Sequence, residues 1–169
     1  MESQNQEYII DENNKIIETK NVFYEKNLIG LNYFDFADDE MLIKILKEIF
    51  IKVRKKNKTF VTTYRCDNEQ SIRLFTLEII PLDSGKIRLI HRLKNETNRE
   101  IKLNLEKRSD KIYYLCAWCN KIKVGDSFVE IDDAVNKVKI LEYNYLPKFS
   151  HIMCNDCKDK LLKETEDLN

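Results

Sequence analysis

The sequence predicts an α+β fold, in which one long helix packs on one face of a five-stranded antiparallel sheet and a small cysteine-rich unit follows. Two short β-prone runs open the chain, a strongly amphipathic helical pattern comes next, and three runs with period-two alternation follow it. Helices that are segregated onto one face of an antiparallel sheet define this class. Two Cys-x-x-Cys pairs in the last third of the sequence mark the second unit.

The composition is that of a folded chain with balanced charge. Hydrophobic residues make up 43% of the 169 residues and charged residues 34%, which is enough apolar content for a core. The 29 basic residues equal the 29 acidic ones, and this balance disfavours nucleic acid as a partner. The polar amino terminus has no signal-peptide pattern, and no apolar run reaches the roughly 20 residues of a membrane span. We therefore expect a cytoplasmic protein, without membrane association, whose cysteines stay reduced.

A hairpin and the long helix account for the first part of the chain. Residues 8–10 and 15–17 are β-prone, and the turn formers between them predict a hairpin. Asp38 and Asp39 supply a helix cap, and the basic residues of 52–58 suit the helix end. Six apolar residues recur between them at helical spacing and form one buried face, namely Leu42, Ile45, Leu46, Ile49, Phe50 and Val53.

Period-two alternation predicts three further strands. Phe60, Tyr64 and Cys66 fall on one face of the first strand, so we expect Cys66 to be a buried thiol rather than a sensing one. Residues 72–82 and 86–93 form the other two strands, which are joined by a three-residue turn that contains glycine. These strands complete the predicted sheet.

Two features near the end of this sheet have more than one interpretation. His91 lies in the last strand, where a hydrogen-bonded histidine is favoured over a haem ligand. Residues 95–110 are polar and charged, and they predict either a connector packed along the sheet or a solvated linker. Ile101, Leu103 and Leu105 alternate there as they would in a short strand.

Short segments within residues 7–94 are similar to those of a known family. They are Tyr8-Ile9-Ile10-Asp11, Asn21, Leu28-Ile29-Gly30, Tyr64-Arg65-Cys66-Asp67, Ile80-Pro81-Leu82 and His91-Arg92-Leu93. In this order they resemble a PAS domain, a bacterial sensory module with a five-stranded sheet and a connecting helix. PAS domains bind small ligands, haem or flavin, or other proteins, and they often form homodimers. The resemblance therefore implies a sensory module but does not name its ligand.

The cysteines predict a metal site. Cys116 and Cys119 form one Cys-x-x-Cys pair and Cys154 and Cys157 the other, with 34 residues between the pairs. Two pairs of thiolates complete the four-coordinate shell of one tetrahedral Zn²⁺. His151 lies three residues before the second pair, and we expect it to donate a hydrogen bond to a ligating sulfur or, alternatively, to replace one thiolate.

The residues around these pairs predict a small unit over residues 111–169. Trp118 is expected to be a packing anchor that shields the metal, and residues 128–131 a short strand. Pro147 is expected to end regular structure, and a terminal helix follows over about residues 158–168. An earlier helix has its apolar positions at Ala134, Val135, Val138 and Leu141. Ligands on a turn and at the start of a terminal helix are typical of a treble-clef or ribbon arrangement.

The cysteine frame also resembles a known segment. Cys116-Ala117-Trp118-Cys119 followed by Ser150-His151-Ile152-Met153-Cys154-Asn155-Asp156-Cys157 is similar to the cysteine-rich tail that follows PAS domains in bacterial signalling proteins, including some histidine kinases. Ile152 and Asn155 replace the glycine and proline that are frequent in that tail. These departures remove no ligand.

We expect a non-enzymatic sensory or interaction module with a protein partner or a small-molecule ligand. The sequence has no phosphate-cradling glycine loop, no H-E-x-x-H helix and no nucleophile elbow. The expected cofactor is a structural Zn²⁺, beside an unidentified small ligand in a PAS-like cavity. Two alternatives stay open: a thiol redox sensor that uses the two cysteine pairs, and a nucleic-acid-binding zinc protein.

Overall fold

Two β-sheets and three α-helices form the part of the chain that the structure describes, so the fold is α+β. The structure is a computed structural model that describes residues 5–22, 27–37, 39–67, 71–98, 108–138, 146–166 and 168. In chain order its elements are β1 Gln6–Ile10, β2 Ile16–Lys20, α1 Glu40–Lys56, β3 Phe60–Arg65, β4 Ser71–Pro81, β5 Ile87–Asn98, β6 Arg108–Cys116, β7 Ile122–Val124, β8 Ser127–Val129, α2 Ile131–Val138, β9 Leu146–Ile152 and α3 Asn155–Glu166. A short 3-10 helix at Tyr33–Phe36 precedes α1.

The first sheet has five antiparallel strands in the order β2-β1-β5-β4-β3, which confirms the sheet predicted from the sequence. In the β1–β2 turn, Asp11 Oδ1 accepts hydrogen bonds from the backbone N–H groups of Asn13 at 2.9 Å and Lys15 at 2.8 Å. The predicted turn between β4 and β5 lies at Asp83–Gly85, where Ser84 and Gly85 have φ of 59° and 71°. Glycine adopts this left-handed conformation without steric cost.

Helix α1 contributes one face to the core, as its spacing predicts. The side chain of Asp39 caps the helix by accepting a hydrogen bond from the Leu42 N–H at 2.6 Å, and Asn57 ends it in a left-handed conformation. All six apolar residues predicted for its inner face are buried. They pack in one cluster with buried residues of the first sheet, among them Phe60, Leu77 and Leu89.

Strand β5 is longer than predicted and includes residues 95–98, the first residues of the expected connector. Residues 95–98 pair with residues 71–74 of β4, and residues 108–110 already belong to β6. The middle of the connector lies outside the described residues, together with Ile101, Leu103 and Leu105.

The second sheet has four strands in the order β8-β7-β6-β9, and β6 and β9 pair in parallel. The expectation that Pro147 ends regular structure is wrong, because Pro147 is the second residue of β9. β9 is an edge strand of this sheet, where a missing N–H need not break the ladder. The terminal helix α3 begins at Asn155, three residues before the predicted start. Of the predicted apolar positions of α2, Ala134 is buried, and Leu141 lies outside the described residues.

The second sheet and α3 pack against the first sheet along β3. The Arg65 N–H donates to the Trp118 carbonyl at 2.8 Å, and the Lys160 ammonium donates to Thr63 Oγ1 at 3.1 Å. Lys52 of α1 reaches the Thr165 carbonyl in α3 at 3.3 Å. Buried residues of both parts therefore form one continuous cluster. Among the described helices, none has the length and apolar character needed to cross a membrane.

Candidate metal centre and adjoining cavity

The first cysteine pair lies on the turn between β6 and β7, which we call the knuckle, residues 116–119. The Cys116 carbonyl accepts from the Asn120 N–H at 2.9 Å, and the Cys116 N–H donates to the Lys121 carbonyl at 2.8 Å. Asn120 closes the turn with φ of 56°, a conformation that asparagine adopts more readily than most residues. These bonds turn the side chains of Cys116 and Cys119 toward the same side.

The second pair is brought to the knuckle by the parallel strand β9. The Ala117 N–H donates to the Ile152 carbonyl at 2.9 Å, so the chain reaches the knuckle directly after β9. The carbonyl of Cys154 accepts the first hydrogen bond of α3, from the Lys158 N–H at 3.0 Å. Cys157 then lies in the first turn of the helix. Both sulfurs are therefore near a helix N-terminus, where the helix dipole stabilises thiolate charge.

The four sulfurs of Cys116, Cys119, Cys154 and Cys157 all lie within 4.8 Å of one another, so together they could hold a metal ion. Cys119 Sγ and Cys154 Sγ are 3.9 Å apart. Sulfurs at the corners of a tetrahedron around Zn²⁺ would be about 3.8 Å apart, given Zn–S bonds of about 2.3 Å. A disulfide requires about 2.0 Å, and all five cysteines are free. The geometry fits a four-thiolate metal site.

Most of these sulfurs are buried, and one of them lies near backbone N–H donors. Cys116 is 0% exposed, Cys154 3% and Cys157 8%, and Cys119 is partly buried. The backbone N–H groups of Trp118 and Cys154 each lie 3.4 Å from Cys116 Sγ. Such donors stabilise a buried thiolate, and a shell of four thiolates requires this stabilisation because its charge exceeds that of a divalent ion.

The thiols also shift one another's pKa. Hydrogen bonds from the Cys119 and Cys157 thiols, together with backbone N–H donors, lower the pKa of Cys116 well below its ordinary value. The same sharing of hydrogen bonds with Cys116 raises the pKa of Cys119 and of Cys157. A divalent cation would favour the thiolate form of all four.

His151 lies in β9, half-buried, with its backbone opposite Leu115 in the ladder with β6. Among the described residues, the group of ligand atoms within 4.8 Å of one another consists of the four cysteines and does not include His151. The hydrogen bond predicted from His151 to a ligating sulfur stays a prediction.

A cavity of about 470 Å³ lies beside the knuckle, bounded by the first sheet, α1 and the 3-10 helix. No sequence motif marks it, because its lining comes from eight separated segments of the chain. Seven aromatic residues contribute to the lining, namely Tyr8, Tyr33, Phe34, Phe36, Tyr64, Phe75 and Trp118. The volume is within the range of pockets that enclose small molecules, about 300–1,000 Å³.

Trp118 is the indole that the sequence analysis expected to shield the metal, and it also lines this cavity. It is 4% exposed, and its ring lies 5.3 Å from the ring of Tyr64. Its indole Nε1–H is buried and has no acceptor among the described residues. A buried donor without a partner is costly.

His91 lies between two tyrosines in the cavity wall. Its Nδ1 is 2.7 Å from the Tyr64 hydroxyl and its Nε2 is 3.1 Å from the Tyr33 hydroxyl, which confirms the predicted hydrogen-bonded strand histidine. Burial lowers the pKa of His91 to about 4 and raises the pKa of Tyr64 above its ordinary value. The imidazole is therefore neutral at pH 7, so one ring nitrogen donates and the other accepts.

Cys66 is exposed, so the expectation of a buried thiol is wrong. Strand β3 ends at Arg65, so the alternation that would place Cys66 on the inner face does not extend to that residue. Beyond the strand, the Arg73 guanidinium donates to the Cys66 carbonyl at 2.8 Å and lies above the ring of Phe75, 5.6 Å from its centroid. Cys66 and Arg73 both line the cavity.

No protein-family model matches the chain, and no curated protein is significantly similar to it in sequence.

Proposed function

We propose that the protein is a non-enzymatic sensory module, in which a PAS-like domain takes a small ligand and a structural Zn²⁺ stabilises the carboxyl-terminal unit. The observation that carries this proposal is the cavity of about 470 Å³ between the first sheet and α1. A five-stranded antiparallel sheet with a connecting helix is also the architecture that the PAS resemblance implies. Apolar pockets with a few convergent polar groups are the usual form of small-molecule sites.

Zn²⁺ suits the four cysteines better than other common ions do. Calcium and magnesium prefer oxygen ligands, whereas four thiolates in tetrahedral array select zinc or iron. A shell of four cysteines is closed and leaves no position for a catalytic water, which favours a structural role. Ligands on the knuckle and at the start of α3 support the proposal of a treble-clef or ribbon arrangement.

The carboxyl-terminal unit also has little core of its own. Beyond the cysteines, the buried apolar residues that the structure describes there are few, and they are Trp118, Ile122, Ala134, Leu161 and Leu168. Small units of this kind usually depend on a metal to fold. Zn²⁺ would therefore act as a cross-link between the knuckle and α3.

Metal analysis combined with native mass spectrometry tests this function. Protein purified from a reducing cytoplasm should contain about one zinc per chain, and a chelator should lower its melting temperature. Native mass spectra of the same sample report any bound small molecule and any homodimer. Protein that holds no metal, keeps its melting temperature in chelator and forms disulfides under mild oxidant would instead be a thiol redox sensor. Salt-dependent binding of DNA or RNA would favour the nucleic-acid alternative.

A further inference from the structure

The knuckle that carries two of the metal ligands is also a wall of the cavity. Ala117 and Trp118, the two residues between Cys116 and Cys119, both line the cavity. Hydrogen bonds hold this wall on two sides, from the Ala117 N–H to β9 and from the Arg65 N–H to the Trp118 carbonyl. The bonds of Cys116 with Asn120 and Lys121 and the packing of Trp118 on Tyr64 constrain the wall further, and the positions of the two cysteine sulfurs are the constraint that a metal would add. A metal ion that bound the four sulfurs would therefore also fix the shape of the cavity.

The residues that line the cavity favour ligands of a particular shape and a particular charge. Its aromatic faces favour a flat, unsaturated ligand that can stack. The lining includes one guanidinium, that of Arg73, and no carboxylate from the described residues. The Arg73 guanidinium contacts Cys66 and the ring of Phe75, and it forms no ion pair with a carboxylate of the described residues. The cavity therefore offers a cation to a ligand and no formal negative charge.

We propose that the cavity and the metal centre form one composite site, in which a planar aromatic carboxylate binds against Trp118 and Arg73 and the metal at the four cysteines holds the Trp118 wall. This rests on the proposed function, and it names the class of ligand and its regulation. The rings of the ligand stack among the aromatic side chains. The carboxylate pairs with the guanidinium of Arg73, and the ring of Trp118 packs against the rings of the ligand.

The shared wall couples the two sites thermodynamically. Loss of the metal frees the knuckle and loosens Trp118, so the ligand binds the metal-free protein more weakly. Coupling between two binding sites is reciprocal, so the ligand must raise the affinity for the metal by the same factor. Occupancy of each site would then depend on the concentrations of both the ligand and the metal.

Three naphthalene derivatives with a negative, a neutral and a positive substituent test the class of ligand. The probes are 2-naphthoate, 2-naphthamide and 2-naphthylmethylammonium, followed by titration calorimetry and by fluorescence of Trp118, the only tryptophan in the chain. We expect 2-naphthoate to bind tightest and to change the Trp118 emission. Because a charged hydrogen bond is lost, Arg73→Gln should weaken 2-naphthoate about 10-fold or more and leave 2-naphthamide unchanged.

Two further variants separate the contacts from general effects on the fold. Arg88→Gln removes an exposed cation from β5 outside the cavity lining, and it should bind all three probes as the parent does. Trp118→Leu removes the aromatic face of the knuckle, and calorimetry should show a loss of about 5-fold. Equal binding of the three probes, or an unchanged response in Arg73→Gln, overturns the assignment of an aromatic carboxylate.

Both measurements of the coupling start from the folded, metal-loaded protein. With Co²⁺ at the four cysteines, the visible absorption bands report the coordination geometry, and 2-naphthoate should shift them. Saturating 2-naphthoate should also raise the chelator concentration required to remove half of the Zn²⁺, by a factor equal to the loss in ligand affinity on metal removal. Unchanged bands together with an unchanged chelator midpoint overturn the composite site.

These results are distinguishable from a failure of the proposed function. If the protein holds one zinc and its native mass spectrum contains another bound small molecule, but none of the naphthalene probes binds, only the composite-site proposal is wrong. If the protein holds neither metal nor any small molecule, the sensory function itself is wrong.

Discussion

The metal centre and the cavity lie on two sides of the same knuckle, but they are held in place by different forces. In the metal centre, four sulfurs that repel one another when ionised require a cation, and burial makes this requirement stronger. In the cavity, aromatic side chains are positioned by a sheet and a helix whose core exists without any ion. We therefore expect a large loss of stability when the metal centre loses one ligand. We expect smaller losses when packing, pH or surface charge changes around the cavity.

The largest effect should follow from removal of one sulfur. Cys157→Ser takes away a ligand that is 8% exposed and lies in the first turn of α3. Binding of a structural zinc contributes on the order of 10 kcal/mol of apparent free energy. We expect the variant to lose stoichiometric metal and the ordered carboxyl-terminal unit, measured by metal analysis and by hydrogen exchange of α3.

Cys66→Ser is the matched control, since it removes the only cysteine outside the cluster and that side chain is exposed. It should keep one metal per chain and the melting temperature of the parent. Loss of metal in Cys66→Ser, or full retention in Cys157→Ser, would contradict the ligand set. Amides in the first sheet should stay protected in both variants, since that sheet and the residues before it, with α1, supply most of the shared core cluster.

The two regions also differ in how far their residues could be predicted from the sequence. Each cysteine pair is local, and its spacing alone indicates metal binding. The parallel strand β9 that joins the pairs was missed, because Pro147 indicates a break and only the edge position of the strand makes it tolerable. The sheet, its hairpins and the buried face of α1 followed from periodicity, which is likewise a local signal.

The cavity depends on contacts between distant residues, which no local pattern contains. His91 was expected to be hydrogen-bonded, but its partners Tyr33 and Tyr64 lie 58 and 27 residues away in the sequence. Cys66 was misplaced for a related reason. Alternation indicates the faces of a strand but not the residue at which the strand ends, and β3 ends at Arg65.

An intermediate effect should come from pH, through His91 in the cavity wall. Burial lowers its pKa from 6.5 to about 4 in the folded protein. Between these values the unfolded chain binds a proton that the folded protein does not bind, so the free energy of unfolding falls as the pH falls from about 6.5 to about 4. The loss from this group is at most about 3 kcal/mol.

His91→Gln removes the titrating group but keeps an amide that can donate to one tyrosine and accept from the other. Urea unfolding at a series of pH values, with zinc in excess, measures both proteins. Protonation of the cysteines affects the parent and the variant alike, so the difference between their curves isolates His91. The variant should have the shallower decline below pH 6.5, and parallel curves would show that His91 titrates normally in the folded protein.

The smallest effect should come from the ion pair that joins the two regions at the surface. Arg65 of β3 contacts Asp67 and Glu130 at 2.5 Å each, and its backbone N–H bonds the Trp118 carbonyl in the knuckle. The Glu130 side chain is 41% exposed, so Glu130→Gln should lower the free energy of unfolding by only about 0.5 kcal/mol, and this difference should disappear in about 1 M salt.

Asp67→Asn is the comparison, because Asp67 is 5% exposed and also accepts from the Arg73 N–H at 3.1 Å. Its cost should be about 1–3 kcal/mol and persist in salt, since a buried guanidinium loses its charged partner. Equal and salt-sensitive losses in the two variants would mean that screening, rather than burial, governs the contact between the sheet and the knuckle.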